Sequence, residues 1–96
     1  MTVPMSGRKT VTTAGTELPI VAAASSFIVA GPVVVKALPT NTGLVYVGNA
    51  GDGTVSSSTG YPLAAGEQVF FNFVSTLSEI LVDAAVNGEG LAWLIL

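Results

Sequence analysis

The chain has 96 residues, of which half are apolar and 9% are charged, and its formal net charge is −3. It contains no cysteine and no histidine, so it offers no thiolate and no imidazole base, and it lacks the commonest transition-metal ligand. The acidic balance argues against nucleic-acid binding, because proteins that bind nucleic acid carry a basic patch.

The scarcity of charge is the main signal in the composition. An average soluble domain is about 25% charged, and a chain of this length buries only part of its surface in a single core. We therefore expect another subunit to cover some of that surface. The alternative is a soluble monomer coated by threonine, serine, asparagine and glycine. The three cations are Arg8, Lys9 and Lys36, and the first two either meet an acidic neighbour or are simply solvated.

The start of the chain predicts short strands. We expect residues 1–15 to form an N-terminal arm, with an edge strand over Arg8–Thr13, and residues 16–96 to form a single β-domain. Thr16–Val21 predicts another short strand, which Pro19 restricts to an edge or a bulge.

The apolar stretch Ile20–Val35 is interrupted by serines and by Gly31-Pro32. It is shorter than the ~20 residues that a membrane-spanning helix needs. We therefore expect no membrane span. We also expect no signal peptide, because Thr10–Pro19 separates the basic residues from this apolar stretch.

The clearest strand signal is Val33–Gly48, which predicts a β-hairpin. Two β-branched runs flank a segment rich in turn-forming residues, among them Asn41. Alternation predicts a core face of Val33, Val35 and Ala37 and an opposite face of Val34, Lys36 and Leu38. The opposite face is too apolar for free solvent, so we expect a second sheet or a neighbouring subunit to cover it.

Further strands are predicted downstream. Thr54–Ser58 suggests an exposed edge, and Thr59–Pro62 a turn after which Leu63 points inward. In Gln68–Phe73 the core face is Val69, Phe71 and Phe73. Phe70 falls on the polar side and is therefore a candidate contact residue.

The end of the chain predicts two more strands. Glu79–Val82 is followed by a turn at Asn87–Gly90. Leu91–Leu96 is apolar on both faces, which favours a central strand or one pressed against a neighbouring subunit. Trp93 shares a face with Leu91 and Ile95 and is interpreted as a core anchor. The candidate interface residues are Val34, Leu38, Phe70, Leu94, Leu96, Arg8 and Lys9.

These strands recur at the spacing that is typical of antiparallel all-β folds, and no long amphipathic helix interrupts them. The pattern predicts an antiparallel β-sandwich or jelly-roll-like barrel of about seven or eight short strands.

Side chains with catalytic potential are few. Asp52, in the string NAGDG, is interpreted as part of a plain turn rather than a calcium loop, because no closing glutamate follows it at the required spacing. Ser56, Ser57 and Ser58 have no histidine to activate them. The acidic residues Glu67, Glu79, Asp83 and Glu89 sit at predicted strand edges and turns, where solvated charge is the ordinary expectation. We therefore expect no catalytic, metal or cofactor site and no enzymatic activity.

Several strings, taken in order, resemble small virion proteins of tailed bacteriophages. They are ALPTNTGLVYVG, then GYPLAAGE, then a strand of the SEILVDA type. The matching residues are Val35-Lys36, Ala37–Gly48, Gly60–Glu67 and Ser78–Ala84, within a resemblance that spans roughly Val33 to Trp93. The resemblance implies a structural part of the particle, such as a capsid decoration protein, a head fibre or a tail-associated module.

It further implies self-association, with a homotrimer favoured, and contact with the major capsid protein or other virion proteins. The expected location is the virion, assembled in the cytoplasm of a bacterial host, without nucleic-acid or membrane partners. The alternative function is a receptor- or glycan-binding module of a fibre or tail. Such a module would use the loops at Asn49–Thr59 or Asn87–Gly90, with Tyr46 and Tyr61 as the available tyrosines.

Overall fold

The computed structural model describes residues 6–21, 32–49, 55–72 and 76–95. These residues form eight strands and one short 3₁₀ turn, Leu77–Glu79. The strands are β1 (Ser6–Thr10), β2 (Leu18–Pro19), β3 (Val33–Ala37), β4 (Val45–Asn49), β5 (Tyr61–Leu63), β6 (Gln68–Phe71), β7 (Ile80–Ala84) and β8 (Gly90–Ile95).

The strands form two antiparallel sheets of four. The first sheet has the order β1-β8-β3-β6 and the second the order β2-β7-β4-β5. The first strand pairs with the eighth, the second with the seventh, the third with the sixth and the fourth with the fifth. This nested pairing is the arrangement of a jelly roll, in which one long hairpin rolls up into two packed sheets. The predicted all-β sandwich or jelly roll is confirmed.

The core lies between the two sheets and follows the predicted alternation. Val33, Val35 and Ala37 of β3 have no exposed surface, and they belong to one cluster with Val45 and Val47 of β4. Because successive side chains of a strand point to opposite faces, the intervening residues of β3 lie on the outside. The predicted core face of β3 is therefore confirmed.

The last strand, β8, lies between β1 and β3, as its apolar sequence predicts. Leu91, Trp93 and Ile95 all belong to the core cluster, and Trp93 is only 8% exposed. Both edges of this strand are hydrogen-bonded to neighbouring strands, and the core contacts account for the apolar residues of one of its faces.

The predicted hairpin at Val33–Gly48 is wrong. Its two strands, β3 and β4, exist but lie in different sheets. Their inward valines face the core from opposite sides, so the connecting residues 38–44 turn a corner between the sheets. Both ends of this corner are hydrogen-bonded to the segment between β7 and β8: Leu38 N donates to Gly90 O (3.1 Å), and Ala85 N donates to Leu44 O (2.9 Å).

Two further predictions need correction. Residues 55–60 form turns rather than an edge strand, whereas Tyr61–Leu63, predicted in part as a turn, is strand β5. Within the segment predicted as an arm, β1 pairs with β8 along its whole length and Val11 is fully buried.

No helix among the described residues is long and apolar enough to cross a membrane.

Candidate interaction face

The first sheet has one side on the core and one side that the described strands leave uncovered, here called the outer face. Strand register sets which side chains are neighbours on it. Ser6 is paired with Leu94, Leu94 with Val34, and Val34 with Phe70. The last three of these residues form a line across three adjacent strands, which we call the apolar row. Phe70, at its end, is 52% exposed.

A second line of residues runs beside the apolar row. Arg8 is paired with Ala92, Ala92 with Lys36, and Lys36 with Gln68. We call these four residues the cationic row, because they include two of the three cations of the chain. Neighbouring strands are about 4.8 Å apart, so Arg8 and Lys36 lie about 10 Å apart on the same face, on either side of the small Ala92.

A shallow groove of about 410 Å³ lies between the two rows. Its lining residues are Ser6, Val34, Lys36, Gln68, Ala92, Trp93 and Leu94. The groove therefore has an apolar floor with a cation at its side.

The structure brings together four of the predicted interface residues. Val34, Phe70 and Leu94 form the apolar row, and Arg8 lies in the row beside it. The second sheet packs against the core face rather than the outer face. That a neighbouring subunit covers the outer face therefore stays a prediction.

The other predicted interface residues lie elsewhere. Lys9 is paired with Leu91, a core residue, and thus belongs to the opposite side of β1. Leu38 is half-buried at the start of the corner after β3. Leu96 and Asp52 lie outside the described residues.

One end of the sandwich is held together by the turn between β7 and β8, residues 85–89. Its backbone bonds to the corner after β1: Val11 N donates to Glu89 O (2.8 Å), and Gly88 N donates to Val11 O (2.7 Å). Ala14 N donates to Asn87 Oδ1 (2.7 Å). Gly88 has φ +83°, which a residue without a side chain adopts readily. This turn therefore fixes the corner that leads to β2.

The same turn binds the corner after β3 through Glu89. Its carboxylate accepts hydrogen bonds from Thr42 N (2.7 Å), Thr42 Oγ1 (2.8 Å) and Gly43 N (2.9 Å). The backbone bonds from Gly43 and Thr42 favour the ionised form, so the pKa of Glu89 lies below its ordinary value. Solvated charge is the ordinary expectation for this residue, and the carboxylate is indeed exposed to solvent while it also anchors a loop.

Asn41 forms a second link between these two segments. Its Nδ2 donates to Gly90 O (2.8 Å), and Gly90 N donates to its Oδ1 (3.4 Å). A Cβ on residue 90 would collide with the backbone of Lys9 and Thr10, so glycine is required there. The TNTG and NGEG strings, more than 40 residues apart in the chain, therefore form one structural unit.

Asp83, in contrast to Glu89, is structural rather than solvated. It is only 2% exposed, and its Oδ1 accepts from Gly15 N (2.9 Å) and Ala84 N (2.8 Å). The serine cluster is similarly local, since the Ser56 hydroxyl bonds to Ser58 Oγ and Thr59 Oγ1 within its own turn. No group of three or more acidic, histidine or cysteine side chains suited to a metal ion occurs among the described residues.

Two features of the face and its support were missed from the sequence. Nothing local indicates that Asn41 and Glu89 hold one corner, because the contact joins distant segments. The pairing of Arg8 with Lys36 across Ala92 depends on the register of three strands that are not consecutive in the chain. Alternation in β1 places Arg8 beside Ser6 and Thr10, but it does not reveal which strand lies next to them.

Comparison of the chain with protein-family models, with curated proteins and with solved structures found no match.

Proposed function

We propose that this chain is a non-enzymatic structural protein of a tailed-phage particle, a capsid decoration protein that stabilises the shell. In this proposal the outer face of the first sheet is buried in the assembled particle, and the protein self-associates, with a trimer favoured. The observation that carries the proposal is the apolar row. Val34, Leu94 and the half-exposed Phe70 form a continuous apolar line, and the chain has few charged residues.

The sequence resemblance supports the same proposal. The strings that carry it correspond to structural parts of the fold: ALPTNTG leads into the corner after β3, and GYPLAAGE covers β5 and the turn before β6. These residues shape the sandwich and its corners. A small sandwich whose corners are fixed by hydrogen bonds suits a protein that is repeated many times on a shell. Weak contacts of the individual copies add there through multivalency.

The test is retention on particles. Particles of the phage that carries the gene, stripped of this protein, are mixed with purified protein and sedimented. We expect the wild-type chain to co-sediment and a Val34→Ser/Phe70→Ser variant to stay in the supernatant. The matched control is Tyr61→Ser, which changes the 60%-exposed aromatic of the second sheet and should leave retention intact. A wild-type protein that is monomeric and does not bind particles contradicts the proposal.

A second candidate function is glycan binding, which the exposure of Tyr61 favours. Tyr61 lies on β5, at the edge of the second sheet, with the exposed Pro62 beside it. Exposed aromatic rings are a usual platform for sugars, since they combine an apolar face with a polar tip. Binding on a glycan array that disappears in Tyr61→Ala, with folding retained, would support this function over the structural one.

A further inference from the structure

Among the described residues, two of the three cations lie on the outer face and the acidic side chains lie elsewhere. Arg8 and Lys36 lie on the outer face, in one row. The acidic residues that the structure describes lie in none of its rows; they are Glu17, Glu67, Glu79, Asp83 and Glu89. The outer face therefore carries two positive charges in a chain whose net charge is −3.

This distribution disfavours a symmetric contact between two copies through the outer face. In such a contact the same patch meets itself, so four cations from the two copies would share one interface with no acidic residue of the two rows to balance them. Like charges placed opposite each other across an interface are strongly unfavourable. The face instead suits a partner that carries negative charge.

The spacing of the two rows specifies the partner further. Along a strand, residues two apart point to the same side and are about 6.8 Å apart. The apolar and cationic rows are separated by this two-residue step, since Val34 and Lys36 belong to one strand. An extended segment running along β3 would place an apolar side chain on the apolar row and, two residues on, a carboxylate beside Lys36 or Arg8.

We propose that the groove on the outer face binds an extended polypeptide segment in which an apolar residue and an acidic residue are two positions apart. The small side chain of Ala92 leaves the space between the two cations open for the carboxylate. This inference rests on the proposed function in one respect, because it names the chemistry of the partner that the outer face meets in the particle.

The experiment uses a peptide rather than a particle. The probe is an eight-residue peptide that repeats valine, threonine, glutamate and threonine, and the control peptide has lysine in place of glutamate. Binding is followed by amide chemical shifts of the ¹⁵N-labelled protein. We expect the glutamate peptide to shift the signals of Val34, Lys36, Ala92 and Leu94, and the lysine peptide to leave them unchanged.

Charge-reversal variants identify the cations that matter. The double variant Arg8→Glu/Lys36→Glu should bind the glutamate peptide at least about tenfold more weakly, since attraction becomes repulsion. Lys9→Glu, on the other side of β1, reverses one charge where the double variant reverses two, and it should retain the affinity. Equal weakening by Lys9→Glu, or shifts confined to other parts of the protein, would overturn the inference.

Other occupants give different results. A single-stranded DNA dodecamer that saturates the same residues more tightly than the peptide would mark a general polyanion site and contradict the proposal. Concentration-dependent shifts of these residues without peptide, abolished by Phe70→Ser, would show a second copy in the groove and also contradict it. Retention on particles without peptide binding would overturn this inference alone, whereas peptide binding without retention would overturn the decoration function alone.

Discussion

The corner after β3 depends on one buried amide, and replacing Asn41 with alanine tests its contribution. Asn41 is 8% exposed, and both of its polar groups bond to the backbone of Gly90. In Asn41→Ala the carbonyl of Gly90 keeps the bond from Leu38 N at 3.1 Å, but it loses the 2.8 Å bond from Nδ2. The Gly90 N–H loses its longer bond to Oδ1.

The expected cost follows from these two bonds. Removing one partner of a buried polar group costs about 1–3 kcal/mol, and the carbonyl is only partly deprived. We therefore expect a loss of about 1–2 kcal/mol in the free energy of unfolding. With a urea slope of about 1–3 kcal/mol/M for a small domain, the unfolding midpoint should fall by about 1 M.

The assay is urea unfolding followed by tryptophan fluorescence, which reports on the buried Trp93. The matched control is Asn72→Ala, a change of the same kind at an exposed residue just after β6. Its effect should stay within about 0.5 kcal/mol. If Asn41→Ala and Asn72→Ala have the same midpoint, the amide does not hold the corner and the reasoning is refuted.

Three further variants test other parts of the account. In Glu89→Gln the carboxylate that anchors the loop loses its charge. The pKa of Glu89 is lowered in the folded state. The stability that the carboxylate adds is therefore present above the unfolded-state pKa and is lost as the pH falls through the folded-state pKa. The difference in melting temperature between wild type and Glu89→Gln should therefore shrink on acidification from about pH 7 to 3, and a constant difference would contradict the anchor. Asp83→Ala should lower the free energy of unfolding by about 1–3 kcal/mol, because the buried Ala84 amide and the part-buried amide of Gly15 lose their acceptor; an unchanged urea midpoint would argue against that role. Leu91→Ala, at a fully buried position of β8, should cost about 2–5 kcal/mol, and a cost below about 1 kcal/mol would be inconsistent with its place in the core.

Local alternation was enough to predict the strands and their faces. The core face of β3, the outward position of Phe70 and the central position of β8 all follow from which residues in a strand are apolar. This pattern is a property of a few adjacent residues, since the side-chain period of a strand is two. The buried face of a strand can therefore be predicted from the sequence alone.

Which strands pair with each other could not be predicted from local alternation. Val33–Gly48 has turn residues between two valine-rich runs, which is as compatible with a corner between sheets as with a hairpin within one. The decision depends on where residues 38–44 find hydrogen-bond partners, and those partners are at residues 85–90. The sequence likewise predicts a solvated Asp83, because its acceptor role depends on the distant Gly15.

Burial of the outer face in the particle is the central claim, and hydroxyl-radical footprinting tests it most directly. Oxidation of Phe70 and of Tyr61 is measured by mass spectrometry in the free protein and on purified particles. Both rings are more than half exposed in the isolated chain, at 52% and 60%, so both should be oxidised when it is free. On particles, the account predicts that Phe70 becomes protected while Tyr61 reacts as before. Unchanged oxidation of Phe70 in particle-bound protein would contradict it.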